Sequence, residues 1–224
     1  MLGVYPGWQP ESFPATPGVE GCGHVVDPNG SEFVEGQRGI ILFKNGQGSW
    51  QEYATIPAKN FLPIPDSCSD ESAAQFLVNP VTAYGMLDVL NAPKGEFLIQ
   101  SAAGSILGRE FIIMAKLRGI KTINLVRRGG SAITELIDIG ADYVINTSEE
   151  DVVARIKEIT NGKGAYCAID AVAGELTSKI IQSVRDFGTV IVYGALSGLS
   201  FTGSVLDSIF RNVSVTGFWL NIWL

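Results

Sequence analysis

Histidine is nearly missing from this chain: His24 is the only one. A zinc site needs three or four ligands, and one histidine with scattered cysteines does not supply them. The three cysteines, Cys22, Cys68 and Cys167, stand far apart with no CxxC pair, which argues against both a disulfide framework and a zinc ribbon. They read instead as small hydrophobes in the interior of a protein kept in a reducing compartment. Positive charge is short as well. Sixteen Lys and Arg face 23 Asp and Glu for a net charge of −7, and the basic residues are dispersed, so neither nucleic acid nor an anionic membrane surface is an expected partner. No apolar run near a terminus approaches the ~20 residues that span a bilayer; GFWLNIWL, at Gly217 to Leu224, is far too short. The opening MLGVYPGWQPE lacks the basic start and apolar core of a signal peptide. These absences imply a cytoplasmic location, or the mitochondrial matrix for a eukaryotic chain with a transit peptide ahead of Met1. Internal repeats and low-complexity tracts are absent too.

What remains is the composition of a globular protein with a sizeable core, 46% hydrophobic and 17% charged over 224 residues. Its texture changes once. Through residues 1–78, Pro6, Pro10, Pro14, Pro17 and frequent glycines interrupt short β-like runs at Gly23 to Asp27, Gly39 to Phe43 and Trp50 to Ile56, with a turn signal at Asn29-Gly30. This portion reads as β-rich and antiparallel. A helical stretch from Ser72 to Leu77 breaks at Asn79-Pro80 and resumes from Thr82 to Leu90.

Over residues 79–224 strands then alternate with helices. The helices are expected at Ser131 to Ile139, closed by Gly140, at Glu149 to Ile159 behind a Ser148 cap, and along Leu176, Ile180 and Val184. Strands are expected at Tyr143 to Ile145, Tyr166 to Asp170, Thr189 to Tyr193 and Val213 to Thr216. Such alternation predicts an α/β fold with a doubly wound parallel sheet, binding ligands outside the carboxyl ends of its strands.

Phe97 to Arg128 is the most informative stretch. A short apolar strand, Phe97 to Ile99, runs into the small residues Ser101, Ala102, Ala103, Gly104 and Ser105, which let backbone N–H groups approach a pyrophosphate. A helical period begins at Leu107, with Phe111, Met114 and Ala115 on one face, and a second strand runs from Thr122 to Val126. The whole has the length of a βαβ crossover. Where an NAD-binding unit carries an acidic residue for the ribose 2′-hydroxyl, Arg127 and Arg128 stand here. Guanidinium forks suit a 2′-phosphate, so the cofactor expected is NADP(H). Ile106 is expected within the turn, where glycine would be more comfortable.

Seven fragments in order then resemble a known family. They are GVYP at Gly3 to Pro6, PGVEG at Pro17 to Gly21, GSWQEY at Gly48 to Tyr53, NPVTAYGML at Asn79 to Leu87, the turn with its arginine pair, GTVIVYGALSG at Gly188 to Gly198, and GFWLNIW at Gly217 to Trp223. The chain is similar throughout to the zinc-independent medium-chain dehydrogenase/reductases, in particular the mitochondrial-type 2-enoyl thioester reductases and their quinone oxidoreductase relatives. The resemblance implies a partial GroES-like catalytic domain over residues 1–78 and an NADP-binding Rossmann domain over residues 79–224. It implies a catalytic Tyr5 and a nicotinamide end at Asn79 and Thr82. The pyrophosphate turn is implied at Gly104, Ser105, Ile106, Leu107 and Gly108, and a 2′-phosphate site at Arg127 and Arg128. Further cofactor-lining loops are implied at Tyr193, Gly194, Ala195 and Leu196 and at Phe218, Trp219 and Leu220.

The activity so implied is NADPH-dependent reduction of the C=C bond of an α,β-unsaturated carbonyl compound, such as an enoyl thioester, or of a quinone. The alternative is a nucleotide-binding fragment without turnover. In the implied reaction hydride reaches the β-carbon, charge develops on the carbonyl oxygen, and the Tyr5 phenol donates a hydrogen bond to that oxygen or relays a proton. Zinc-dependent relatives carry Gly-His-Glu where this chain reads Gly18-Val19-Glu20, so no metal is expected. Family members begin well before the GVYP segment and continue well past GFWLNIW, which implies a chain cut at both ends. A homodimer through the edge of the last strand is among the implied partners.

Overall fold

The computed structural model describes residues 12–42 and 48–224; Tyr5 and the GVYP segment therefore lie outside the described residues. The chain divides into two compact units, Met1–Val78 and Asn79–Leu224.

In the first unit the strands β1 (Glu20–His24), β2 (Arg38–Leu42) and β3 (Phe61–Pro63) pair antiparallel in that order. Several expectations shift here. The run from Trp50 to Ile56 is not a strand: it forms no ladder, and Trp50 and Tyr53 are exposed. Its apolar residues are too few and too irregularly spaced to hold one face against a sheet. The third strand is instead Phe61–Pro63, where Phe61 stacks edge-on with Phe33 at 4.9 Å. The helix α1 covers only Asp70–Ala73, capped by Ser69, whose hydroxyl accepts from the backbone N–H of Ser72 at 3.3 Å. Cys22 and Cys68 are half-buried rather than core residues; only Cys167 is buried.

The second unit opens with α2 (Val78–Leu90), a single unbroken helix. Asn79-Pro80 does not interrupt it, because Pro80 sits in the first turn, where its missing N–H has no intrahelical partner to lose. Six strands follow: β4 (Phe97–Gln100), β5 (Lys121–Val126), β6 (Tyr143–Asn146), β7 (Ala165–Asp170), β8 (Val184–Val192) and β9 (Ser214–Gly217). They form one parallel sheet in the order β6-β5-β4-β7-β8-β9. The helices are α3 (Ile106–Leu117), α4 (Ser131–Ile139), α5 (Val152–Ile159), α6 (Gly174–Ser183), α7 (Val205–Phe210) and α8 (Leu220–Trp223).

Alternation along β4 shows how the layers are built. Leu98 points into a cluster with Ala83, Met86 and Leu87 of α2 and Phe111 of α3, while Ile99 points the other way, into a cluster with Val152, Ile156, Ile180 and Ile181 of α5 and α6. Burial on both faces explains why these strands read as continuous apolar runs.

Two helix boundaries differ from the expected ones. Asp151, not Ser148, caps α5: its carboxylate accepts from the N–H of Ala154 at 2.9 Å, while the N–H groups of Glu149 and Glu150 turn back to the carbonyl of Asn146. Replacing Asp151 by alanine should cost about 1 kcal/mol in a urea titration, the usual worth of such a cap; no loss would show that the cap is idle. Val184 does not extend α6. It is extended, opens β8 and pairs with Ala165, as suits a β-branched residue at a strand start.

Candidate functional site

The sheet reverses its winding between β4 and β7, the two central neighbours. From β4 the chain proceeds outward through β5 to β6, and from β7 outward through β8 to β9, so the loops leaving β4 and β7 turn away from each other at their carboxyl ends, the place where doubly wound sheets take their ligands. Every candidate cofactor residue beyond α2 lies on a loop or helix start at this edge: Gly104 to Gly108 after β4, Arg127 and Arg128 after β5, Tyr193 to Leu196 after β8, and Phe218 to Leu220 after β9.

The turn after β4 is held from both sides. Ser101 N–H donates to the Ile169 carbonyl on β7 at 3.1 Å and Ala103 N–H to the Leu125 carbonyl on β5 at 3.2 Å, with Ala102 at φ 50. Ser105 caps α3, its hydroxyl accepting from Gly108 N–H at 3.1 Å. Ile106 is therefore the first helical residue and half-exposed, not part of the turn as expected.

Glycine serves two purposes here. A Cβ on Gly108 would lie 2.6 Å from the Ala103 carbonyl oxygen, so no side chain fits where the helix rests on its own turn. A Cβ on Gly104 would meet nothing within 4 Å: the space is open, on the side where α3 presents its positive end. The substitution Gly104→Val should accordingly leave the thermal midpoint within a few degrees and abolish detectable binding of NADPH by fluorescence titration. Retained binding would place the pyrophosphate elsewhere.

After β5, the Arg127 carbonyl accepts from the Ser148 hydroxyl at 3.0 Å, and Thr147 N–H donates to the Val126 carbonyl at 2.8 Å. The backbone of this loop is thus tied to the loop after β6. Both arginine side chains are exposed and neither pairs with an acidic residue among the described residues. The following helix, α4, starts from Gly130 at φ 74 with no side-chain cap.

Asn79 and Thr82 occupy the first turns of α2, with Thr82 buried. One turn on, Gly85 leaves room for the C-terminal segment: a Cβ there would lie 2.8 Å from the Phe218 ring and 3.0 Å from Trp223. Tyr193 and Phe218 both pack against the cluster containing Ala83, Met86 and Leu87, so α2 and the loops after β8 and β9 share one apolar wall. Burial, reinforced by the charge of Asp170, pushes the Tyr193 phenol well above its ordinary range, and it stays protonated as a potential donor.

The loops after β7 and β8 are joined by Leu196 N–H to the Ala171 carbonyl at 3.1 Å and Ser197 N–H to the Val172 carbonyl at 2.8 Å. Asp170, buried between these turns and accepting from the Ser101 hydroxyl at 2.5 Å, is a residue that no sequence motif points to. The available signal was a charged residue closing the apolar run Ala168-Ile169-Asp170.

A zinc centre does not fit the donors present. Glu20, in the Gly18-Val19-Glu20 segment, already accepts from the N–H groups of Leu77 and Val78 at 3.0 and 2.8 Å. Asp70 is bound to Arg38 at 2.5 Å, which holds its carboxyl below the usual range. Burial and then the charge of Asp70 push the Cys22 thiol upward, away from the thiolate a metal requires. Among the described residues no three His, Cys, Asp or Glu side chains converge to hold a metal.

The sequence pattern of the zinc-binding dehydrogenase family matches residues 107–222. The mitochondrial enoyl-[acyl-carrier-protein] reductase of Arabidopsis thaliana is 36% identical over 228 residues, covering 99% of this chain and 60% of its own length. Two crystal structures superpose closely. The quinone oxidoreductase of Escherichia coli, solved with NADPH, gives a TM-score of 0.85 at 26% identity over 96% of this chain and 66% of its own. That of Pseudomonas syringae gives 0.86 at 27% identity over 98% and 67%. The chain thus spans about three fifths of the length of the Arabidopsis relative. With just over half of its residues matched to the family pattern, the chain belongs to the zinc-binding dehydrogenase family, and its likeness to the Arabidopsis reductase and the two quinone oxidoreductases puts it with the zinc-independent medium-chain dehydrogenase/reductases.

Proposed function

We propose that the chain binds NADPH in the crevice between β4 and β7 and reduces the C=C bond of an α,β-unsaturated carbonyl compound, with enoyl thioesters as the first substrate class and quinones as the second. The observation that carries this reading is the open approach at Gly104 combined with two exposed arginines, one strand away, that have no acidic partner among the described residues. The Arabidopsis relative supports the enoyl thioester and the Escherichia coli structure the cofactor.

NADPH, when bound, supplies the hydride. The residues of the chain do the rest. The turn at Gly104, Ser105 and Leu107 receives the pyrophosphate against the α3 N-terminus, and the absence of a side chain at Gly104 lets it approach the backbone. Arg127 and Arg128 hold the 2′-phosphate by charge-assisted hydrogen bonds. Asn79 and Thr82 orient the nicotinamide end, and Tyr193, Gly194, Ala195 and Leu196, with Phe218, Trp219 and Leu220, exclude water from it. Low polarity along that wall strengthens any hydrogen bond made to a developing negative charge. Tyr5, which lies outside the described residues, is assigned as the donor to the substrate carbonyl oxygen.

The mitochondrial location named for the Arabidopsis relative supports the matrix as the compartment; no helix among the described residues is long and apolar enough to cross a membrane. A homodimer through the free edge of β9 completes the proposal.

Purified chain mixed with NADPH and a short enoyl thioester, or with a quinone, tests the reading through loss of nicotinamide absorbance. Turnover of the thioester supports it, and turnover of the quinone alone shifts the substrate class. NADPH binding without turnover of either would reduce the role to nucleotide binding, and no binding at all would remove the cofactor assignment.

A further inference from the structure

We infer that Asp170 is a positioning residue for the dinucleotide, fixing with one carboxylate the two turns that border the crevice; this rests on the assignment of NADPH to that crevice. Asp170 is the last residue of β7 and fully buried, yet it has no cationic partner among the described residues. Its charge is met entirely by neutral donors. Oδ1 accepts from the Ser101 hydroxyl at 2.5 Å and from Val172 N–H at 2.9 Å; Oδ2 accepts from the Thr177 hydroxyl at 2.5 Å and from Ala173 N–H at 3.2 Å. Ser101 in turn accepts from Ala171 N–H at 2.9 Å.

The donors come from three places: the first residue after β4, the turn after β7, and the first turns of α6. Ser101 follows β4 and Asp170 ends β7, and because these two strands are neighbours in the sheet one carboxylate reaches both departing loops. The turn being held is an unfavourable one. Ala173 and Gly174 both sit at φ 65, and an alanine at positive φ with extended ψ (−164) persists only where its surroundings over-determine it. From this turn the constraint passes on, through the Leu196–Ala171 and Ser197–Val172 hydrogen bonds, to the loop carrying Tyr193 to Leu196.

A carboxylate is required chemically. Four donors converge on two oxygens, and a carboxamide offers one oxygen and adds two N–H groups, so asparagine would set N–H against a hydroxyl or backbone N–H on one side. Buried donors left without an acceptor are costly, and the cheapest relief is for the turns to move apart.

The test separates the two halves of the cofactor. Adenosine 2′-monophosphate engages only the end of the site at Arg127 and Arg128, whereas NADPH must also seat its pyrophosphate and nicotinamide on the turns Asp170 holds. Titration calorimetry of the full chain with each ligand should show, for Asp170→Asn, a Kd for NADPH raised about tenfold or more and a Kd for adenosine 2′-monophosphate changed less than about twofold. Thr177→Val removes one donor while keeping the shape, and should weaken NADPH about threefold, again sparing the monophosphate; it decides the matter if Asp170→Asn does not fold. Equal losses for both ligands would mean a general structural role and overturn the inference, as would unchanged NADPH affinity. If the unmodified chain itself failed to bind NADPH, the cofactor assignment would fall and take this inference with it.

Discussion

Exchanging both Arg127 and Arg128 for alanine is expected to raise the Kd for NADPH by about a hundredfold and to leave the Kd for NADH within about threefold of its starting value. Each guanidinium can give a charge-assisted hydrogen bond to a 2′-phosphate, and tenfold per arginine is at the modest end of what such bonds contribute. The modest end applies because both side chains are exposed, so solvent and salt screen them. Their backbone is not loose, since the Ser148 hydroxyl holds the Arg127 carbonyl, but both side chains must still be ordered on binding, which also keeps the gain modest. Fluorescence titrations with the two nicotinamides, at low and high ionic strength, read the effect directly. The preference for NADPH should narrow as salt rises in the unmodified chain and be flat in the variant. A parallel loss of NADH binding would show that the arginines shape the loop and do not contact the extra phosphate.

The largest stability effect is expected at Phe111. It is fully buried on α3, in one cluster with Leu98, Ile169 and Ile191 of the sheet and Ala83 and Met86 of α2. Phe111→Ala removes most of that side chain from a packed layer and should cost about 3–5 kcal/mol in urea unfolding. Leu117 is on the same helix but 83% exposed, and Leu117→Ala should cost no more than about 0.5 kcal/mol. Saturating NADPH should restore part of the loss at Phe111 by mass action, by an amount set by its concentration over Kd. Comparable losses at the two positions would mean that α3 is not packed as described.

The second unit was legible in the sequence because its physics is local. Parallel strands buried on both faces produce unbroken apolar runs, and the helices between them carry clear stripes such as Val152, Ile156 and Ile159. Errors fell where one residue had two plausible roles. Ser148 and Asp151 can each cap a helix, and only the hydrogen bonds of Asn146 decide between them. Val184 fits a helical stripe and a strand start equally well. In the first unit the short strands are set by pairing across the sheet, so the third strand could not be placed from spacing alone. Arg127, Arg128 and the small-residue turn were visible because each is a departure from the usual pattern of a dinucleotide unit. The partners of Asp170 were not visible, because Ser101 and Thr177 are ordinary residues whose meaning comes from contacts 69 and seven positions away.

The seam between β4 and β7 has a consequence for how the second unit assembles. Leu98 pairs with Cys167 and Gln100 with Ile169, across a separation in sequence far longer than that of any adjoining pair in the sheet. Each half, β4 to β6 and β7 to β9, is made of short-range crossovers that can form early, whereas joining them requires closing the longest loop. The ligand crevice does not exist until that joining is done. Binding energy from a dinucleotide would therefore favour the slowest and most entropically costly step of folding, and a cell rich in the cofactor would hold the two halves together.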